Sequence, residues 1–259
     1  MFSQDERCIL QNNQLADVIC QLRFPEILMI GEKIPAEFQD AIRADYPQYT
    51  AHKNIPTPRI TGTPGNFALE NPPAAVNYQF VSADGAWRIN LASSFISLSC
   101  TKYTRWEDFA RHLDKPLAAF IKIYDPSYFS RIGLRYLNFI SRKSVSLEGV
   151  PYADLIQPAY LGPLAEDDVP EQSVSRCSID AELSLQGGCR AKIHAGPGLV
   201  KQNGQQNKEI QFIFDLDLFM NGNIPVNHSA GALQTLHAQA YPVFRGAITD
   251  TLFEAMDPI

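Results

Sequence analysis

Apolar and polar side chains alternate with period two through Ser130–Ser141, SRIGLRYLNFIS. Ile132, Leu134, Tyr136, Asn138 and Ile140 fall on one side of an extended segment, and Arg131, Gly133, Arg135, Leu137 and Phe139 on the other. The density of Ile, Leu, Tyr and Phe favours a strand. The stretch predicts a central strand at which the chain passes from one structural half into a second. Arginines in the middle of such a strand must reach solvent or a carboxylate, because burying an unpaired charge is costly.

The same pattern assigns most of the chain. Met1–Gln14 reads as a polar lead-in. Leu15–Ile30 reads as a first strand, with Val18, Cys20, Leu22 and Phe24 on one face, Ile19, Gln21 and Arg23 on the other, and Pro25 limiting the ladder. Phe38, Ile42 and Tyr46 repeat every four residues and predict a helix over Pro35–Tyr46. Pro47–Ala75, with Pro56, Pro58, Pro64, Pro72 and Pro73, predicts a long loop with room for a short strand. Val76–Thr101 predicts several strands, the first turn set by Asp84-Gly85. Thr104–Tyr124 predicts a helix with a Thr104/Glu107 capping box, an apolar stripe of Trp106, Phe109, Leu113, Phe120 and Ile121, and a kink at Pro116.

Beyond the central strand, Pro151–Leu161 predicts a short helix and Leu164–Glu171 an acidic loop. Val174–Leu185 and Arg190–Val200 predict two strands, Lys201–Lys208 a polar connector, and Glu209–Met220, EIQFIFDLDLFM, a strong strand. Gly231–Phe253 predicts one closing helix, bent at Pro242, with Leu233, Leu236, Ala240, Phe244, Ile248 and Leu252 along one side.

As elements, each half reads strand, helix, three strands, helix. The expected fold class is α+β: duplicated β-α-β-β-β-α halves, residues 1–129 and 130–259, joined into one curved antiparallel sheet with helices on one face. CQLRF at Cys20–Phe24 aligns with GLRYL at Gly133–Leu137, Leu22 on Leu134 and Arg23 on Arg135. ISLSC aligns with FDLDL, Ser97 on Asp215 and Ser99 on Asp217. The element order resembles the TATA-binding-protein-like and helix-grip folds, an analogy that carries no function with it.

Two-face bookkeeping then nominates a site. Arg23, Arg135, Asp215 and Asp217, joined by Gln21, Arg131, Ser97 and Ser99, share the face opposite the helices. Cross-strand ion pairs are the bland explanation, and a recognition surface for a protein or small ligand is the functional one. Asp215 and Asp217 could also share a divalent ion, which keeps a metal-dependent hydrolase as an alternative. His237, in the last helix, is a further binding candidate that could sit near a carboxylate and titrate around neutral pH.

The 259 residues carry a net charge of −6, so general nucleic-acid binding is disfavoured. A local basic stripe of Lys102, Arg105, Arg131, Arg142 and Lys143 would keep a nucleic-acid-associated role open. Five cysteines without CxxC spacing, Cys8, Cys20, Cys100, Cys177 and Cys189, suggest free thiols in a reducing compartment, with Cys20 and Cys100 in the core. No signal-peptide design and no apolar run of the ~20 residues needed to span a bilayer is present, so a cytoplasmic protein is expected. GxSxG, HExxH and Walker A patterns are absent, the histidines lack zinc-ligand spacing, and neither a cofactor nor a resident metal is expected.

LADVICQLRF, SRIGLRYLNFI, FIFDLD and ALQTLHAQAYPVFRGAITD together resemble an uncharacterised, sporadically distributed bacterial family of chains about this long, the most specific piece being Arg131–Asn138. The resemblance implies no established activity. Patchy occurrence would suit an accessory component of a defence or toxin-linked system. The leading expectation is a non-enzymatic binding or assembly protein of the bacterial cytoplasm.

Overall fold

The computed structural model describes residues 2–54, 59–63, 66–70, 75–202 and 205–259, without the side chains of 54–75 and 201–208. Along these residues the chain forms β1 (Leu15–Arg23), α1 (Leu28–Glu32), α2 (Ala36–Ile42), β2 (Gln48–Asn54), β3 (Arg59–Thr63), β4 (Asn66–Glu70), β5 (Ala75–Val81), β6 (Trp87–Ala92), β7 (Phe95–Cys100) and α3 (Trp106–Tyr124). It continues with β8 (Phe129–Ile140), β9 (Ile179–Ser184), β10 (Arg190–Gln202), β11 (Gln205–Ile224), α4 (Ser229–Arg245) and α5 (Asp250–Ala255).

The fold is α+β. Nine strands make one antiparallel open sheet in the order β2-β5-β6-β7-β1-β8-β11-β10-β9, and β3 pairs with β4 separately. The predicted central strand is central: β8 pairs with β1 on one side and β11 on the other. Outward from the β1–β8 pair, strands run in reverse chain order on both sides.

One face of this sheet builds the core. Val18, Cys20 and Leu22 of β1, Ile132, Leu134 and Ile140 of β8, and Phe212, Phe214, Leu216 and Leu218 of β11 are buried in one apolar cluster. Phe38 of α2, Phe109 and Phe120 of α3, and Leu236 and Ala240 of α4 join that cluster. Phe24 meets Phe120 with ring centroids 4.7 Å apart, and Phe38 meets Phe80 edge-on at 5.4 Å. Each fully buried aromatic contributes roughly 2–3 kcal/mol of transfer free energy, so the alternating face pins the register of every strand it lines.

Several boundaries differ from the sequence reading. The first strand stops at Arg23, and Ile27–Glu32 turns into α1. Pro25 removes a ladder donor where the strand would have continued. Much of the expected loop Pro47–Ala75 is strand: β2 pairs with β5 along its length, and β3 with β4. Pro56, Pro58, Pro64, Pro72 and Pro73 lie outside the described residues. The Thr104/Glu107 capping box does not form; Arg105 is the N-cap, and Thr104 Oγ1 donates to Asp108 at 3.3 Å. Pro151–Leu161 folds as two short 3-10 turns, and the closing helix is split at Gly246 into α4 and α5, whose N-cap is Thr249.

The two local alignments of the halves belong to different registers. Setting Leu22 on Leu134 carries Ser97 onto Phe219, whereas setting Ser97 on Asp215 carries Val18 onto Leu134. The polar lead-in is tied to the other end of the chain. Ile9 and Ile259 exchange backbone hydrogen bonds at 3.1 and 2.9 Å, and Gln11 and Asn12 donate to Asp257 and Met256.

Candidate functional site

On the face opposite the core, the expected charges pair with one another. Arg131 Nη2 donates to both carboxylate oxygens of Asp217 at 2.8 Å. Arg135 holds Asp215 through Nε at 2.6 Å and also through Nη2. Asp217 stands directly opposite Arg135 in the ladder, and Arg131 opposite Asn221. Both arginines therefore reach along the strand direction. Arg131 does so across Gly133, where a Cβ would stand 2.9 Å from the guanidinium carbon. Phe219, paired with Gly133, supports that guanidinium at 4.8 Å from its ring centre. Farther out, Glu182 pairs with Arg190, and His194 Nδ1 lies 2.8 Å from Asp180.

Arg23 does not join this network. It stands opposite Arg131, is exposed, and donates to Gln21 at 2.9 Å. Strand register sets its neighbour to a like charge rather than a carboxylate. Both aspartates of the DxD are taken by arginines, and among the described residues no cluster of three or more His, Cys, Asp or Glu could hold a metal ion. The proposed basic stripe is largely neutralised. Arg105 binds Asp108, Arg131 binds Asp217, Arg142 binds Glu171, and Lys102 lies 3.9 Å from Asp84.

His237 lies on the other side of the sheet. It is 7% exposed, stacks on Trp106 with centroids 4.5 Å apart, and meets the Tyr136 hydroxyl through Nδ1 at 3.0 Å. Among the described residues no carboxylate bonds it, and burial pushes its pKa down to about 4, outweighing the attraction of Glu107. The expectation of titration near neutral pH is corrected accordingly: the imidazole is neutral at pH 7. Its Nε2 is buried and has no hydrogen-bond partner among the described residues.

His237 is part of the wall of a cavity of about 100 Å³ between α4, the start of α3 and the sheet. Tyr136, Asn138 and Leu216 form the buried floor; Arg7, Thr104 and Arg105 form an exposed rim. The strands set this space. A bulge between Leu15 and Asp17 shifts β1 against β8 beside Asn138, and bulges re-aim side chains in this way. Asn138, the lone amide on the apolar face of β8, is satisfied by the Phe214 carbonyl at 3.2 Å. Burial pushes the Tyr103 phenol up to about 12 and Tyr136 well above the ordinary value. At the rim Arg7 holds Glu107 at 2.9 and 3.3 Å, and that guanidinium draws Glu107 down to about 2. Cys8 Sγ lies 3.4 Å from the Tyr241 hydroxyl.

The sequence pattern nominates His237, and Tyr103 as an aromatic stacking surface, but not Arg7, Tyr136 or Tyr241. A usable signal existed: His237 is four residues after Leu233 and three before Ala240, which places a polar ring inside the apolar stripe of α4.

Five free cysteines are present; Cys20 and Cys100 are fully buried, as expected. Among the described residues no helix is long and apolar enough to cross a membrane. The chain matches no family model, and no curated protein matches it.

Proposed function

We propose that the protein is a non-enzymatic binding protein whose site is the cavity floored by Tyr136 and walled by His237. One observation carries this reading. Buried His237, Tyr136 and Asn138 converge on a concavity whose lining is otherwise mostly apolar. Binding sites have this composition, mostly apolar with few convergent polar groups. Chemistry is a poorer fit: Tyr136 holds its proton, His237 is neutral, and Glu107 is tied to Arg7. The charged sheet face, by contrast, is largely satisfied by its own pairs and reads as structural.

The test fills the cavity. Ala240, 7% exposed, is part of its lining. Saturation-transfer NMR with a panel of one-ring compounds should give contacts with the wild type and none with Ala240→Phe at an unchanged or raised melting temperature. Equal contacts in both proteins would refute the site.

The same proposal takes residues 1–129 and 130–259 as duplicated halves of a TATA-binding-protein-like sheet. The mirrored strand order around β1 and β8 supports it, and the 3-10 turns standing where α1 and α2 would recur are its main departure. The cavity then sits where the halves meet. Placement in a bacterial cytoplasm, with a tie to a defence or toxin-linked system, follows the family resemblance and is part of this proposal.

A further inference from the structure

We propose that the groove between residues 142–174 and the outer end of the β10–β11 pair docks a basic peptide segment of another protein, anchored by an apolar side chain. The groove measures about 750 Å³ and shares no lining residue with the cavity walled by His237, so it stands independently of that site. Its floor is the core face of the sheet running bare. Phe212, Phe214, Leu216 and Leu218 of β11 are buried on that face, whereas Ile210, next in the same row, is 50% exposed. Leu199, directly across the ladder from Ile210, is 52% exposed. Pro151, Val169, Val174 and Pro197 extend the apolar surface along the groove.

One wall is held in place by its own contacts. Arg142 binds Glu171 at 2.9 Å, donates to the Val150 carbonyl at 3.1 Å and lies 4.2 Å from the centre of the Tyr152 ring. Glu171 in turn accepts from the Tyr152 amide at 3.0 Å, and the Tyr152 hydroxyl donates to the Ile210 carbonyl at 2.7 Å. The guanidinium in the lining is thereby engaged in joining this wall to β11. Asp154, Glu166 and Asp167 also line the groove, are exposed, and make no ion pair among the described residues.

Charge selects the occupant. Contiguous apolar surface rimmed by polar groups marks interaction sites. Here the unbalanced rim charge is negative, so it favours Lys or Arg on either side of an aliphatic side chain that covers Ile210. A nucleic-acid phosphate or an anionic lipid surface would be repelled by the same carboxylates. A second copy is disfavoured, because each chain carries a net charge of −6.

The experiment titrates four end-blocked peptides, KLKLK, KGKGK, SLSLS and ELELE, into the full chain, followed by NMR of backbone amides. KLKLK should bind about fivefold more tightly than KGKGK or SLSLS, and ELELE should be the weakest. The shifts should centre on Asp167, Val169 and Ile210 and leave Tyr136 and Ala240 in place. Ile210→Ser and Asp167→Lys, both at exposed positions, should each weaken KLKLK about fivefold at an unchanged melting temperature. Raising NaCl from about 0.05 to about 0.5 M should weaken KLKLK and leave SLSLS unchanged. KGKGK binding as tightly as KLKLK would reduce the effect to diffuse charge and overturn the apolar anchor. ELELE binding best would overturn the charge assignment. Groove amides that shift when the protein alone is diluted would put a second copy there instead, and no shift with any peptide would end the proposal.

Discussion

Replacing Gly133 by alanine tests how β8 carries two arginines on one face. The new Cβ would stand 2.9 Å from the Arg131 guanidinium carbon, the far end of a flexible side chain, so the guanidinium must shift from its path across residue 133. It then gives up two 2.8 Å contacts to Asp217 and its place over Phe219. The pair is partly buried, its side chains 20% and 27% exposed. Its loss therefore falls between the ~0.2–1 kcal/mol of a surface pair and the ~3–5 kcal/mol of a buried one; about 1–2 kcal/mol is a fair figure. Losing the ring contact adds about 0.5–1 kcal/mol. Against this, alanine is favoured over glycine in a strand by roughly 0.5–1 kcal/mol. The net expectation is a protein less stable by about 1–2 kcal/mol, measured by urea unfolding. Asp217→Asn should cost less in the Gly133→Ala background than in the wild type, because its partner has already gone. A Gly133→Ala protein as stable as the wild type or more so, or strictly additive double-variant energies, would refute the argument.

Three further outcomes are expected. His237 has its folded pKa lowered to about 4 from 6.5, so its contribution is present above pH 6.5 and is lost as pH falls from there to about 4. Unfolding should lose up to about 3 kcal/mol across that window, and the loss should be absent in His237→Gln; the same pH slope in both proteins would contradict the burial of this ring. Arg23→Ala should leave stability within about 0.5 kcal/mol, since among the described residues Arg23 bonds only Gln21, while Arg135→Ala should cost about 1 kcal/mol or more by freeing Asp215, whose side chain is 15% exposed; the reverse order would show the network to be misassigned. Burial holds the thiols of Cys20, Cys100 and Cys189 up at about 12, 11 and 11, so iodoacetamide at pH 8 should label Cys8 and Cys177 alone in the native protein. Phenol should then slow Cys8, at the cavity rim, and spare Cys177; equal protection of both would speak against a local site.

Period-two patterning located β8, β11 and the face each side chain takes, because the pleat leaves no freedom once one face is buried. Arg131, Arg135, Asp215 and Asp217 were legible as one surface for that reason. Which arginine meets which aspartate was not, since it depends on the missing side chain at Gly133. Arg23 failed on register: alternation gives the face but not the neighbour across the ladder. β2 was hidden because its polar side chains at Gln48, Thr50, His52 and Lys53 carry little apolar alternation. The cavity lay furthest from the sequence. It joins Arg7, Tyr103, Tyr136 and His237, which are brought together only by the packing of α3, α4 and the paired chain ends.

The most direct measurement is a crystal structure of the protein soaked in phenol. The ring should lie in the cavity between Tyr136, Ala240 and Phe244. A cavity closed by its own side chains, or phenol bound only elsewhere on the molecule, would contradict the proposed site.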